Sequence, residues 1–133
     1  MKSITSDPMV KKKLEEFSQR SKHNISIRYL LNAWEETIEG IEAGYEYSIY
    51  DYLNDLDRRD LIQELIDVAS DKTKQEILAE IRLLDQRFIA STDLANKPLR
   101  EIIDVEKHWW WKRIPINCGE ELKDDLRSEN LLD

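Results

Sequence analysis

Apolar residues recur at helical spacing almost from the start of this chain, separated by charged and polar positions. Val10, Leu14 and Phe17 share one face, bordered by Met9. They follow Ser6-Asp7-Pro8, a capping side chain and then a proline placed where its missing N–H is harmless. This predicts a first helix to about Arg20 and a turn over 21–24, with Asn24 or Ser26 capping a second helix. There Ile27, Leu31, Trp34, Ile38 and Ile41 form a narrow stripe, widened by Leu30 and ended by Gly44. Such a stripe suits helix–helix packing, within one chain or between two copies. Ser48 and Asp51 have capping-box spacing, and Ile49, Leu53 and Leu56 make one face of the helix that follows. Leu61, Ile62, Leu65, Ile66 and Ala69 are out of phase with that face, which predicts a corner near Asp57 and a new helix to about Ala69.

Ser70 or Asp71 begins a further helix with Ile77, Leu78, Ile81, Leu84 and Phe88 facing inward. Ala90–Pro98 is polar and ends in an X-Pro step, so it reads as a loop. Ile102, Ile103 and Val105 fit a short helix or a strand equally. Asn117 is placed to cap a last acidic helix, Gly119–Arg127, whose contact stripe is Leu122 and Leu126. The pattern predicts an all-α fold. It is one domain over residues 1–133, a bundle of about five or six helices with an aromatic C-terminal arm laid across it.

Composition narrows the partners. The chain has 133 residues, of which 41% are apolar and 36% charged, with three glycines and three prolines. That is the make-up of a helix-rich globule. A formal charge of −8 disfavours nucleic acid and anionic membranes and leaves a basic protein as the charged partner it suits. A lone Cys118 cannot form an internal disulfide, and the N-terminal stretch lacks the apolar core of a signal peptide, so a cytoplasmic location is expected. His23 and His108 are too isolated for a helical zinc motif. Cys118 precedes a predicted helix N-terminus, which would lower its pKa. No glycine-rich phosphate loop or serine elbow is present, and no cofactor is expected.

Two stretches carry candidate binding chemistry. Four of the five tyrosines lie in 45–52, and Tyr47, Tyr50 and Tyr52 stand beside Asp51 and Asp55. They either seal the helix entry, with Asp55 pairing to Arg59, or form an acidic, tyrosine-edged surface for a basic protein. Consecutive Trp109, Trp110 and Trp111 cannot all face one way. Two rings buried in the arm and one partly exposed is the structural reading. An exposed ring with Lys112 and Arg113 would instead anchor an interface.

Glu36-x-x-Glu39 and Glu64-x-x-Asp67 offer different chemistry. Their spacing resembles the ExxE and ExxD signature of the MazG-like all-α nucleoside triphosphate pyrophosphohydrolases. The resemblance implies that Glu36, Glu39, Glu64 and Asp67 from neighbouring helices hold magnesium, which bridges the substrate phosphates. The favoured expectation is a non-enzymatic protein-binding module, antitoxin-like or immunity-like in size and charge. The partner-facing residues would be Tyr47, Tyr50, Asp51, Tyr52, Asp55, Trp109, Trp110, Trp111 and Arg113. A magnesium-dependent pyrophosphohydrolase is the alternative.

Overall fold

The computed structural model describes residues 6–101 and 104–133. Helices α1 (Pro8–Ser21), α2 (Ile27–Glu42), α3 (Ile49–Val68) and α4 (Asp71–Ala90) form the bundle. A short strand β1 (Thr92–Leu94), a 3-10 turn (Trp109–Lys112), β2 (Arg113–Pro115) and α5 (Glu120–Ser128) complete it. The strands pair antiparallel, with Thr92 opposite Pro115 and Leu94 opposite Arg113. Ile102 and Ile103 lie outside the described residues, and Val105 is in an exposed turn.

The caps explain where the helices begin. Asp7 accepts from the backbone N–H groups of Met9 and Val10, with Pro8 in the first turn of α1. Ser26, rather than Asn24, caps α2 by accepting from Tyr29 N–H at 3.1 Å. Ser48 and Asp51 make the reciprocal capping box of α3. Ser70 caps α4. The cap of α5 is Gly119, not Asn117, and it supplies no side-chain bond. The Asn117 carbonyl instead accepts from Tyr45 N–H at 3.0 Å, tying the α2–α3 connection to the arm. Gly44 makes that connection with a φ of +102°, a backbone state that side chains with a Cβ resist.

Helix α3 runs unbroken through the position predicted as a corner. Its buried face is Ile49, Tyr52, Leu56, Arg59, Ile62, Leu65 and Ile66, a continuous helical stripe in which one member is a cation. Arg59 is only 3% exposed, and its charge at a core position made the apolar pattern look out of phase. At about 1.5 Å per residue, α3 spans about 30 Å. It touches α1, α2, α4, α5 and the 3-10 turn, so the rest of the chain is arranged around it.

The stripe of α2 is consumed inside the chain, where Ile27, Leu30, Leu31, Trp34, Ile38 and Ile41 are all buried. Helix α4 buries Thr73, Ile77, Ile81 and Phe88, while Leu78, predicted inward, is exposed at the edge of that face. Part of the predicted 90–98 loop is strand β1, which exists through its distant partner β2 rather than through local preference. Buried side chains from all five helices and the arm join one hydrophobic cluster.

Candidate docking surface

Two carboxylates organise the space between α3 and the arm. Asp85 of α4 receives Arg59 through two bonds, Nε at 3.1 Å and a terminal nitrogen at 3.0 Å. It also accepts from the Trp34 indole at 3.0 Å. The Arg59 guanidinium lies over the Trp110 ring, 4.4 Å from its centroid. At the next residue of α3, a single oxygen of Asp60 accepts from the indole N–H of Trp110 at 2.7 Å and of Trp111 at 2.8 Å. The arm is thus knitted to α3 by buried indole–carboxylate bonds, the partners that buried tryptophan N–H groups require.

This geometry assigns the tryptophan run to the core. Trp110 and Trp111 are fully buried, Trp111 with the Arg100 guanidinium over its ring, while Trp109 is half-buried against Phe88. The 3-10 turn resolves the directional conflict: its backbone lets two neighbouring indoles converge on Asp60. Arg113, also predicted to face a partner, donates to the Thr92 hydroxyl, the Thr92 carbonyl and the Ile89 carbonyl. It fastens β2 to the end of α4.

The tyrosine cluster divides. Tyr52 is fully buried and donates its hydroxyl to the Arg113 carbonyl at 2.8 Å, which removes it from the predicted surface. Tyr45 is buried and donates to Asp55 at 2.6 Å. Burial, reinforced by the Asp55 charge, pushes the Tyr45 hydroxyl pKa up, and burial does the same at Tyr52. Asp55 therefore has a structural partner, and Arg58 rather than Arg59 is its basic neighbour at 4.0 Å. Asp51 is exposed but bonded to Ser48 in the capping box. Tyr47 and Tyr50 remain open, at 64% and 75% exposure.

Tyr50 borders an open groove of about 540 Å³ between the first turns of α3 and the 97–101 limb of the arm. Ile49, Leu53, Pro98, Leu99 and Leu131 line it with apolar surface. Lys97, Arg100, Glu101 and Glu129 supply charged side chains at its walls. None of these limb or tail residues stood out in the sequence. The groove is assembled from three distant segments, so no local spacing in the sequence marks it.

The four carboxylates of the pyrophosphohydrolase signature are not gathered. Glu36 and Glu39 are exposed on α2, Glu64 lies 3.7 Å from Lys13, and Asp67 pairs with Lys107 at 2.9 Å. Among the described residues, no group of three or more His, Cys, Asp or Glu side chains is placed to hold a metal ion. The signature residues sit on outward faces because the apolar stripes between α2 and α3 fill their shared interface. Cys118 is half-buried, and burial raises its pKa, outweighing the opposing pull of Lys123. The predicted activation by a helix N-terminus is therefore reversed. No described helix is long and apolar enough to cross a membrane. No protein-family model matches the chain, and no curated protein or solved structure matches it.

Proposed function

We propose that this chain is a non-enzymatic protein-binding module that docks a basic segment of another protein at the first turns of α3. The observation that carries the reading is the pair Tyr47 and Tyr50, far more exposed than tyrosines of a folded core, with Tyr50 bordering the groove floored by Leu53, Leu99 and Leu131. Tyrosine is favoured at interface centres because it contributes a large rigid contact area and a polar tip. Glu46, Asp51, Glu101 and Glu129 are exposed near these rings or at the groove wall, where they outnumber Lys97 and Arg100, and the chain carries a net −8. An apolar anchor flanked by lysines or arginines is the segment that this combination suits. Masking a basic surface in this way would make the protein antitoxin-like or immunity-like in role.

The opposite end of α3 is of mixed charge, with exposed Glu15, Glu16 and Asp67 among its cations. Helix α1 packs there through Lys13–Glu64 and Asp7–Ser70, and Lys11, Lys12, Arg20 and Lys22 are exposed on or just beyond it. A photo-crosslinking residue at position 50 should therefore capture a basic protein in source cells, in a salt-sensitive manner once purified. The same residue at Tyr29, which is also exposed, should not. Equal adducts at both positions, or none at position 50, would refute the reading.

A further inference from the structure

The groove wall contains an arginine whose surroundings are those of a recognition site. The Arg100 guanidinium lies 4.1 Å from the centroid of the Trp111 ring. One terminal nitrogen donates to Asp57 at 2.9 Å and stands 4.0 Å from the second oxygen of Asp60. The first oxygen of Asp60 is committed to the two indoles, which fixes that carboxylate and the Trp111 plane together. An aromatic face with two carboxylates at its rim selects a planar guanidinium over a compact ammonium. Yet the occupant is open to solvent. The Arg100 side chain is 43% exposed, and it projects from an irregular limb rather than from a helix. Closest behind it, Leu99 N–H bonds to the Trp111 carbonyl at 2.7 Å.

We infer that Asp57, Asp60 and the Trp111 face form a guanidinium-binding site that the chain fills with its own Arg100, and that an arginine of the basic partner displaces it. The inference rests on the docking reading for the partner's identity, but the site itself is testable without any partner. Displacement frees the 97–101 limb at its Arg100 end and widens the groove next to Tyr50. Occupation in cis weakens any competing guanidinium by the fraction of time the site is empty, about tenfold if Arg100 is seated about nine-tenths of the time.

The experiment uses the full chain and two probes, methylguanidinium and methylammonium, read by the NMR signal of the Trp111 indole N–H. In Arg100→Ala, methylguanidinium should move that signal saturably, about tenfold more tightly than in wild type. Methylammonium should not, and adding Asp57→Asn should abolish the response. Arg100→Gln, which keeps the aliphatic stem over the ring, replaces Arg100→Ala if the shorter variant fails to fold. The inference is overturned by a non-saturable response, by equal responses to the two cations, or by equal affinities in variant and wild type. Loss of crosslinking at position 50 with intact methylguanidinium binding would remove the partner and leave the site standing.

Discussion

Asp7 joins two parts of the bundle through one carboxylate, and its removal has a calculable cost. One oxygen accepts from Met9 and Val10 N–H at 3.0 and 3.2 Å, capping α1. The other accepts from Ser70 N–H at 2.9 Å, at the junction of α3 and α4. The Ser70 backbone bond is the largest cause holding the Asp7 pKa at about 2, against an ordinary 3.8. Asp7 as a whole residue is 6% exposed. Loss of the cap is worth about 1 kcal/mol, and loss of a charge-assisted bond to a backbone donor about 1.5 kcal/mol. Asp7→Ala should therefore destabilise the fold by about 2–3 kcal/mol near neutral pH. Asp7→Asn should lose less, because its carbonyl still caps α1.

The pH dependence follows from the direction of the shift. The unfolded chain binds the proton more readily than the folded one, so Asp7 stabilises the fold fully above the unfolded pKa. That contribution, about 2 kcal/mol, is lost as pH falls from about 5 through the folded pKa near 2. Urea denaturation of wild type and Asp7→Ala at several pH values gives the test. The stability gap should be about 2–3 kcal/mol at pH 7 and should mostly close near pH 2. A gap below about 0.5 kcal/mol at neutral pH, or one unchanged down to pH 2, would refute the reasoning.

The buried network makes further predictions. Asp85→Ala strands the Arg59 charge and should cost about 3–5 kcal/mol, whereas Arg59→Met with Asp85→Asn, which keeps an acceptor for the Trp34 indole, should recover most of it in chemical denaturation. Asp60→Ala leaves two buried indole donors without their acceptor, costing about 2–4 kcal/mol and red-shifting tryptophan emission, while Asp60→Asn retains an acceptor and should lose less. Cys118 should react slowly with iodoacetamide at neutral pH and much faster in denaturant; equal rates would contradict its burial-raised pKa. Tyr50→Ala should change stability by less than about 0.5 kcal/mol, since its ring is exposed.

The helices were legible because their stripes and caps are local. The α2 stripe, the Ser48–Asp51 box and the Asp7-Pro8 start each fall within a few residues, and each appears where the pattern places it. The corner at Asp57 failed for a physical reason: pattern reading treats a cation as an outward residue, and Arg59 is inward because Asp85 and the Trp110 face receive it. The same kind of long-range partner hid β1, which exists through residues 113–115, and the bond from Tyr45 to Asp55. The candidate surface was legible only in part. Tyr47 and Tyr50 are on it, but Tyr52, Trp110, Trp111 and Arg113 carry interface chemistry in composition and core or bracing contacts in space. Nothing in the spacing of Asp57, Arg100 and Trp111 foretold that they meet.

Mapping a crosslinked basic partner onto the backbone amide signals of this protein tests the docking account most directly. The account predicts that shifts concentrate at Tyr47–Asp51 and along 97–101, at the N-terminal end of α3, and weaken with salt. Shifts concentrated on α1 and the 22–28 connection, at the opposite end of α3, would contradict it.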